Sequence, residues 1–351
     1  MDAKPIRGRG ASHNPANRFE RLAVAPDGPR EPDDPGPRTQ FFRDRSRSII
    51  ARNESPDVGF DTTVNPYRGC EHGCCYCYAR PYHEYLGFSA GLDFETKIMV
   101  KEDAPRLLRL ELSAPGWQPQ PILLSGVTDP YQPAERQLRL TRRCLAVLAE
   151  FRNPVAITTK NRLVTRDLDL LAELAGYGAA AVALSITTLD DRLHRVMEPR
   201  TSAPARRLDA IARLTESGVP AAVTIAPVIP GLTDHELPRI VAAAAEAGAI
   251  TAGYVMLRLP HGVAPLFERW LESHLPERKQ KVLSRIREVR RGRLYDSRFE
   301  VRGSGEGTYA RQVERLFEVA SRKAGLAPQM PSLSTAAFRR PEPRGQLELR
   351  F

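Results

Sequence analysis

NPYRGCEHGCCYCYAR, residues 65–80, gathers four of the five cysteines of this 351-residue chain into one loop. Cys70, Cys74 and Cys77 stand at C-x3-C-x2-C spacing, with the aromatic Tyr76 directly before the last. Thiolate sulfur is a soft ligand, suited to iron–sulfur clusters and to zinc. Three thiolates this close can converge on one face of a cluster, and a cubane so held keeps its fourth iron open to something that is not protein. The competing reading is a zinc knuckle of the same cysteines with His72 or His83. Cys75 interrupts the spacing; neighbouring side chains diverge, so it reads as a spare thiol facing away. A disulfide is not expected, because clustered cysteines in a chain without a secretion signal point to metal or redox chemistry.

Outward from the loop, apolar runs of strand length alternate with amphipathic helical stretches. Strands are expected near 61–66, 121–127, 155–160, 180–188, 220–229 and 250–257. An extended segment is also expected in Leu92–Val100. Helices are expected over Ala79–Leu86, Asp103–Ser113, Glu135–Phe151, Arg166–Ala175, Ala203–Ser217 and Glu236–Ala247. Continuous apolar strands between amphipathic helices imply a parallel sheet with helices outside. Six such units fall short of the eight of a closed TIM barrel; spacing alone also allows an open doubly wound sheet. No G-x-G-x-x-G or Walker sequence follows any strand, which argues against a nucleotide-binding Rossmann fold. The spacing buries Cys144 in a helix core.

The ends differ in composition. Residues 1–55 are rich in Pro, Gly, Arg and Asp. Ala25–Arg38 in particular cannot sustain helix or sheet, and the arm is expected to be disordered or wrapped over the domain. Its arginines (Arg7, Arg9, Arg18, Arg21) are candidate phosphate contacts. Residues 56–260 form the α/β core. Residues 261–326 read as a helical extension: Val263–His274, a basic helix Pro276–Arg291 and Tyr309–Ala324. Residues 327–351 read as a loose tail. No apolar run is long enough to cross a bilayer and no h-region opens the chain, so a cytoplasmic location and no membrane partner are expected. The net charge of +10 at pH 7 permits a polyanionic partner such as nucleic acid.

The loop resembles the cluster loop of the radical SAM superfamily, C-x3-C-x-aromatic-C. With its flanks, NPYRGC-x-H-x-C-x-YCYAR is similar to the spore photoproduct lyase-like, photolyase-related branch, over roughly residues 60–260. The resemblance implies a six-stranded (βα)6 partial TIM barrel. It implies a [4Fe–4S] cluster on Cys70, Cys74 and Cys77 that splits S-adenosylmethionine (SAM) reductively. The resulting 5′-deoxyadenosyl radical abstracts hydrogen from a substrate. The electron comes from a donor such as flavodoxin or ferredoxin.

In parallel α/β folds the site lies at the carboxyl ends of the strands. The resemblance therefore puts Tyr76, Thr128, Asp129, Lys160, Ser185, Glu198, Arg206, Pro227 and Leu257 around SAM. Thr128 and Asp129 would face its amino group and Lys160 its carboxylate. Pro227 and Leu257 would form the apolar wall. Gly69 and Gly73 would let the loop approach the cluster. The lyase's radical-quenching cysteine would fall near Gly126, but no cysteine lies between Cys77 and Cys144. Its hydrogen-return step is therefore not supported here, with Tyr131 the candidate donor instead; a dimer-splitting, DNA-repair lyase-like reaction stays one possibility. Three functions stay open: radical chemistry on nucleic acid, radical modification of a protein, peptide or small molecule, and non-catalytic nucleic-acid binding by a zinc- or cluster-stabilised protein.

Overall fold

The computed structural model describes residues 5–20, 36–57, 59–124 and 126–342. Arg21, residues 25–35 of the arm, Ser125 and the tail beyond 342 lie outside the described residues. Ten strands occur among those described: β1 (Gln40–Arg43), β2 (Ile50–Arg52), β3 (Thr62–Val64), β4 (Tyr67–Arg68), β5 (Lys97–Val100), β6 (Ile122–Leu124), β7 (Val155–Thr159), β8 (Ala180–Ser185), β9 (Ala221–Val228) and β10 (Thr251–Met256).

Six of them form the parallel sheet in the order β3-β6-β7-β8-β9-β10, with β2 antiparallel on the outer edge of β3. The strand order follows chain order without reversal. A doubly wound sheet needs a reversal at its switch point; a run in one direction with outer helices is the winding of a barrel. No pairing joins β3 to β10 among the described residues, so the barrel is partial. The main core lies between this sheet and its helices. It is built by the helix-facing sides of β6 to β9 and by Leu107, Leu108, Leu145, Leu148, Ile211 and Ile240. Cys144 is fully buried there, as its spacing requires. No helix among the described residues is long and apolar enough to cross a membrane.

Four local expectations are corrected by tertiary contacts. Leu92–Thr96 is a short helix that precedes β5, and the Leu92 amide donates to the His13 carbonyl of the arm. The stretch Glu135–Phe151 is two helices, broken at Arg139 with φ +52°. The Glu135 carboxylate accepts from the Thr141 and Arg142 amides and so caps the second helix. Asp191–Met197 is a helix the periodicity missed. The tail is not loose over 327–342. Thr251 bridges Ala327, the Ser334 amide donates to Gly178, and Phe338 packs on Phe151 with ring centroids 6.3 Å apart.

The arm is wrapped over the domain where it is described. β1 extends a second sheet, β1-β5-β4, beside the cysteine loop. Residues 9–18 run across the back of that loop, held by hydrogen bonds to Glu95, Asp93, Glu84 and Phe88. On its other side the loop meets the helices Val263–His274 and Pro276–Glu288. Cys74, Cys75 and Tyr76 share an apolar cluster with Phe267, Trp270, Leu271 and Leu283. Trp270 also donates its indole N–H to the Val196 carbonyl at 2.9 Å. The basic helix uses Val282, Leu283 and Ile286 for this packing, and Lys279 and Arg285 pair with Glu272 and Glu288. Those two ion pairs neutralise part of its charge.

Candidate active site

The cysteine loop leaves β4 at the carboxyl side of the sheet and is braced from every direction. The Cys70 amide donates to Phe94, Cys75 to Met197, and Cys77 back to Cys74. Gln132 accepts from the Glu71 amide and donates to the Gly69 carbonyl, so the loop after β6 clamps the cysteines. Arg80, fully buried, donates to the carbonyls of Cys74, Ala90 and Gly91 and pairs with buried Glu95 at 2.5 Å. Gly69 and Gly73 take φ of +79° and +67°. A Cβ on Gly73 would lie 2.8 Å from the Glu95 carboxylate, and one on Gly69 3.0 Å from the His83 ring. The crowding these glycines relieve is therefore with protein behind the loop.

All five cysteines are free thiols. Cys70, Cys74 and Cys75 are buried, and Cys77 is half-buried between two apolar clusters. Burial pushes the Cys70 thiol well up, and the neighbouring Asp129, Cys77 and Cys74 add to this. Burial likewise raises Cys74, with Glu198 adding to it, and raises Cys77. Thiols held up in this way wait for a cationic partner before ionising.

Of the two histidines considered as zinc ligands, His72 is tied to protein partners, whereas the buried Nε2 of His83 has no hydrogen-bond partner among the described residues. His72 sits 3.4 Å from Asp129 and 3.3 Å from the Asn161 amide, and His83 lies between Phe88 and Phe94. Among the described residues no three His, Cys, Asp or Glu side chains gather round one ion-sized point. A cubane does not ask for that, because each of its thiolates takes a different iron. The donor set, with Cys70, Cys74 and Cys77 electrostatic neighbours in one buried loop, fits a cluster.

The ends of β7, β8 and β9 place a buried charge network beside Cys74. The Lys160 ammonium donates to Ser185 at 2.9 Å, Thr187 at 3.1 Å and the Ala226 carbonyl at 2.7 Å. It pairs with Glu198 at 3.2 Å and lies 5.6 Å from the centre of the Tyr76 ring. Glu198 also accepts from the Tyr76 hydroxyl and from Arg207. Burial opposes the Glu198 charge, but Arg207 and Lys160 outweigh it and hold the carboxyl well below its usual range. Two cations against one carboxylate leave this network net positive.

Several expected site residues are already committed to protein. Asp129 accepts from Thr159 and the Lys160 amide, both at 2.7 Å, and from the Tyr131 amide at 2.9 Å; it ties the loop after β6 to the end of β7. Arg206 is exposed, and the arginine beside Glu198 is Arg207. A helix starting at Pro204 turns one of two adjacent arginines inward, and the choice is not visible in the residue types. Tyr131 is fully buried in the main core, its hydroxyl donating to Asp167 at 3.1 Å, so it offers no O–H to a substrate. Thr128, Pro227 and Leu257 stand at the carboxyl edge, with the Leu257 carbonyl held by buried Arg290.

Two further residues stand at this edge, Tyr78, which the sequence reading did not single out, and Arg258, which it placed only at the end of the sixth strand. Tyr78 donates its hydroxyl to the Gly126 carbonyl at 2.5 Å, and Arg258 stacks on its ring. Their positions, directly after Cys77 and at the end of β10, were the available signal.

Residues 64–244 match the Radical SAM superfamily. An uncharacterised protein of Mycobacterium tuberculosis is 40% identical over 248 residues, covering 69% of this chain and 72% of that protein. An uncharacterised protein of Methanocaldococcus jannaschii is 30% identical over 225 residues, covering 64% and 80%. Among solved structures, a spore photoproduct lyase mutant with bound AdoMet and dinucleoside spore photoproduct superposes with a TM-score of 0.54 at 15% identity, over 81% of this chain and 79% of that one. At that identity the likeness is one of fold. The chain belongs to the radical SAM superfamily, and it is an enzyme of that family, which uses a [4Fe–4S] cluster and SAM.

Proposed function

We propose that this radical SAM enzyme holds its cluster on Cys70, Cys74 and Cys77 and acts on a nucleic acid. The observation that carries the cofactor assignment is the juxtaposition of three thiols, Cys70 and Cys74 buried and Cys77 half-buried, with a net-positive network at one sheet edge. When bound, the cluster supplies the electron that breaks the S–C5′ bond of SAM and so provides a hydrogen-abstracting radical.

The chain's own groups orient and exclude. Lys160 presents an ammonium suited to the methionine carboxylate, and Glu198 and Arg207 hold that lysine in place. Thr128, Ser185 and the Tyr76 ring line the same edge. Pro227 and Leu257 supply an apolar wall for the adenosyl group, and burial of the loop keeps water away. The catalytic unit is residues 56–260, with 261–326 as an extension that backs the cysteine loop. A cytoplasmic one-electron donor of the flavodoxin or ferredoxin type completes the system. Nucleic acid as substrate is supported by the net charge of +10 and by a fold neighbour that binds a dinucleoside photoproduct.

The test is anaerobic reconstitution with iron and sulfide, followed by dithionite and SAM. The wild type should yield 5′-deoxyadenosine and Cys70→Ala none. A stoichiometric zinc ion with no SAM cleavage would refute the assignment.

A further inference from the structure

Four aromatic rings that the cofactor site does not use form a row on the surface beside it. Tyr78, Tyr82 and Tyr85 follow the last cysteine of the loop, and Phe19 reaches them from the arm. They are 41%, 55%, 68% and 53% exposed, respectively, which is unusual for rings next to an enzyme's buried centre. Tyr82 and Tyr85 are three apart in the 3-10 helix Arg80–Leu86. In that helix residues i and i+3 eclipse, so both rings stand on one face. Phe19 stacks on Tyr85 with centroids 4.8 Å apart, and Tyr82 is an electrostatic neighbour of Tyr78. The row therefore runs from the Gly126 carbonyl at the end of β6 outward over the cysteine loop to the arm.

The charges along it are unequal. Arg18, over the Phe19 ring, is paired with Glu84, and Arg302 is paired with Asp57. Arg258, 5.0 Å from the centre of the Tyr78 ring, makes no ion pair among the described residues, and its buried Nε has no hydrogen-bond partner. It follows the last strand of the barrel, so a free guanidinium stands at the mouth of the site where the row begins. One unpaired cation is too little for a docking patch that recognises an acidic protein by charge. Open ring faces in series with a phosphate-suited guanidinium match the way unpaired nucleotides are bound, by base stacking along a row with charge on the backbone.

We propose that Tyr78, Tyr82 and Tyr85, with Phe19 stacked behind Tyr85 under Arg18, form a track for a single-stranded nucleic-acid segment. Its bases stack on the open ring faces, and Arg258 holds the phosphate nearest the barrel mouth. This rests on the nucleic-acid reading above and narrows it to unpaired strands.

The test uses the cluster-loaded full chain under anaerobic conditions and fluorescence anisotropy with a labelled oligo-dT and a duplex of equal length. The single strand should bind more tightly than the duplex. Tyr82→Ala/Tyr85→Ala should weaken it on the order of 10-fold or more, since each base–ring stack lost weakens such binding several-fold. Arg258→Gln should weaken it and lower the salt slope by about one phosphate contact. Leu110→Ala, at an exposed apolar site elsewhere, should leave binding unchanged. Equal affinity of wild type and the double tyrosine variant, or preference for the duplex, would overturn the track. So would a result in which the double variant slows reduction by flavodoxin while oligonucleotide binding is unaltered. Formation of 5′-deoxyadenosine, scored separately on the wild type without oligonucleotide, keeps failure of the track distinct from failure of the cofactor assignment.

Discussion

Glu198 is fully buried and answers to Tyr76, Lys160 and Arg207 at once. Removing one partner of a buried ion pair strands the other, at about 3–5 kcal/mol. Arg207→Gln should therefore lower stability by roughly that amount in chemical denaturation, whereas Arg206→Gln, in solvent, should stay within about 0.5 kcal/mol. The cysteines divide in the same way. Single replacements of Cys70, Cys74 or Cys77 by serine should abolish the stoichiometric iron of the reconstituted protein, and Cys75→Ser should retain it, read as iron and sulfide per chain. These residue types were legible because soft ligands at fixed spacing have few other uses. Arg207 was not, because two adjacent arginines at a helix start differ only in which way the helix faces.

At the scale of elements, the arm matters more than its composition suggests. The Gly10 and Ala11 amides donate to the buried Glu95 carboxylate at 3.1 and 2.9 Å, and Glu95 holds Arg80, which holds the Cys74 carbonyl. A Cβ on Gly10 would fall 1.7 Å from the Gly73 carbonyl oxygen. Gly10→Val should therefore lift the arm from the loop. The expected outcome is a lower melting temperature and faster labelling of Cys74 and Cys75 by a thiol reagent in the metal-free protein; an unchanged labelling rate would refute the strap. Strands and most helices were legible from periodicity. The short helix Leu92–Thr96 was not, since contacts from residues 13 and 14 create it.

The whole molecule stores its pH response in buried groups. His83, packed between Phe88 and Phe94, is pushed down by burial to about 4. The unfolded chain takes a proton at this residue as pH falls through about 6.5, and the folded chain does not until about 4. Stability should accordingly fall between those values by up to about 1.4 kcal/mol per pH unit, and His83→Gln should flatten that part of the curve. Glu198 and Asp129 act at lower pH. Both are held below the usual carboxylate range despite burial: Glu198 by Arg207 and Lys160, Asp129 by His72 and its hydrogen-bond donors. Their contribution is complete above about 4.5 and is lost as pH falls further. Urea unfolding from pH 8 to 3 resolves the two phases.

The sequence by itself determined the three-thiol loop, the six βα units and the family, because ligand spacing and hydrophobic period are local properties of the chain. Only the tertiary structure decided that the sheet winds in one direction. It also showed that Arg207 rather than Arg206 meets Glu198, that Asp129 and Tyr131 are spent on internal partners, and that the arm closes over the back of the loop. Each of those depends on which groups distant in the chain share one buried volume, where every polar atom must find a partner, and no local pattern carries that information.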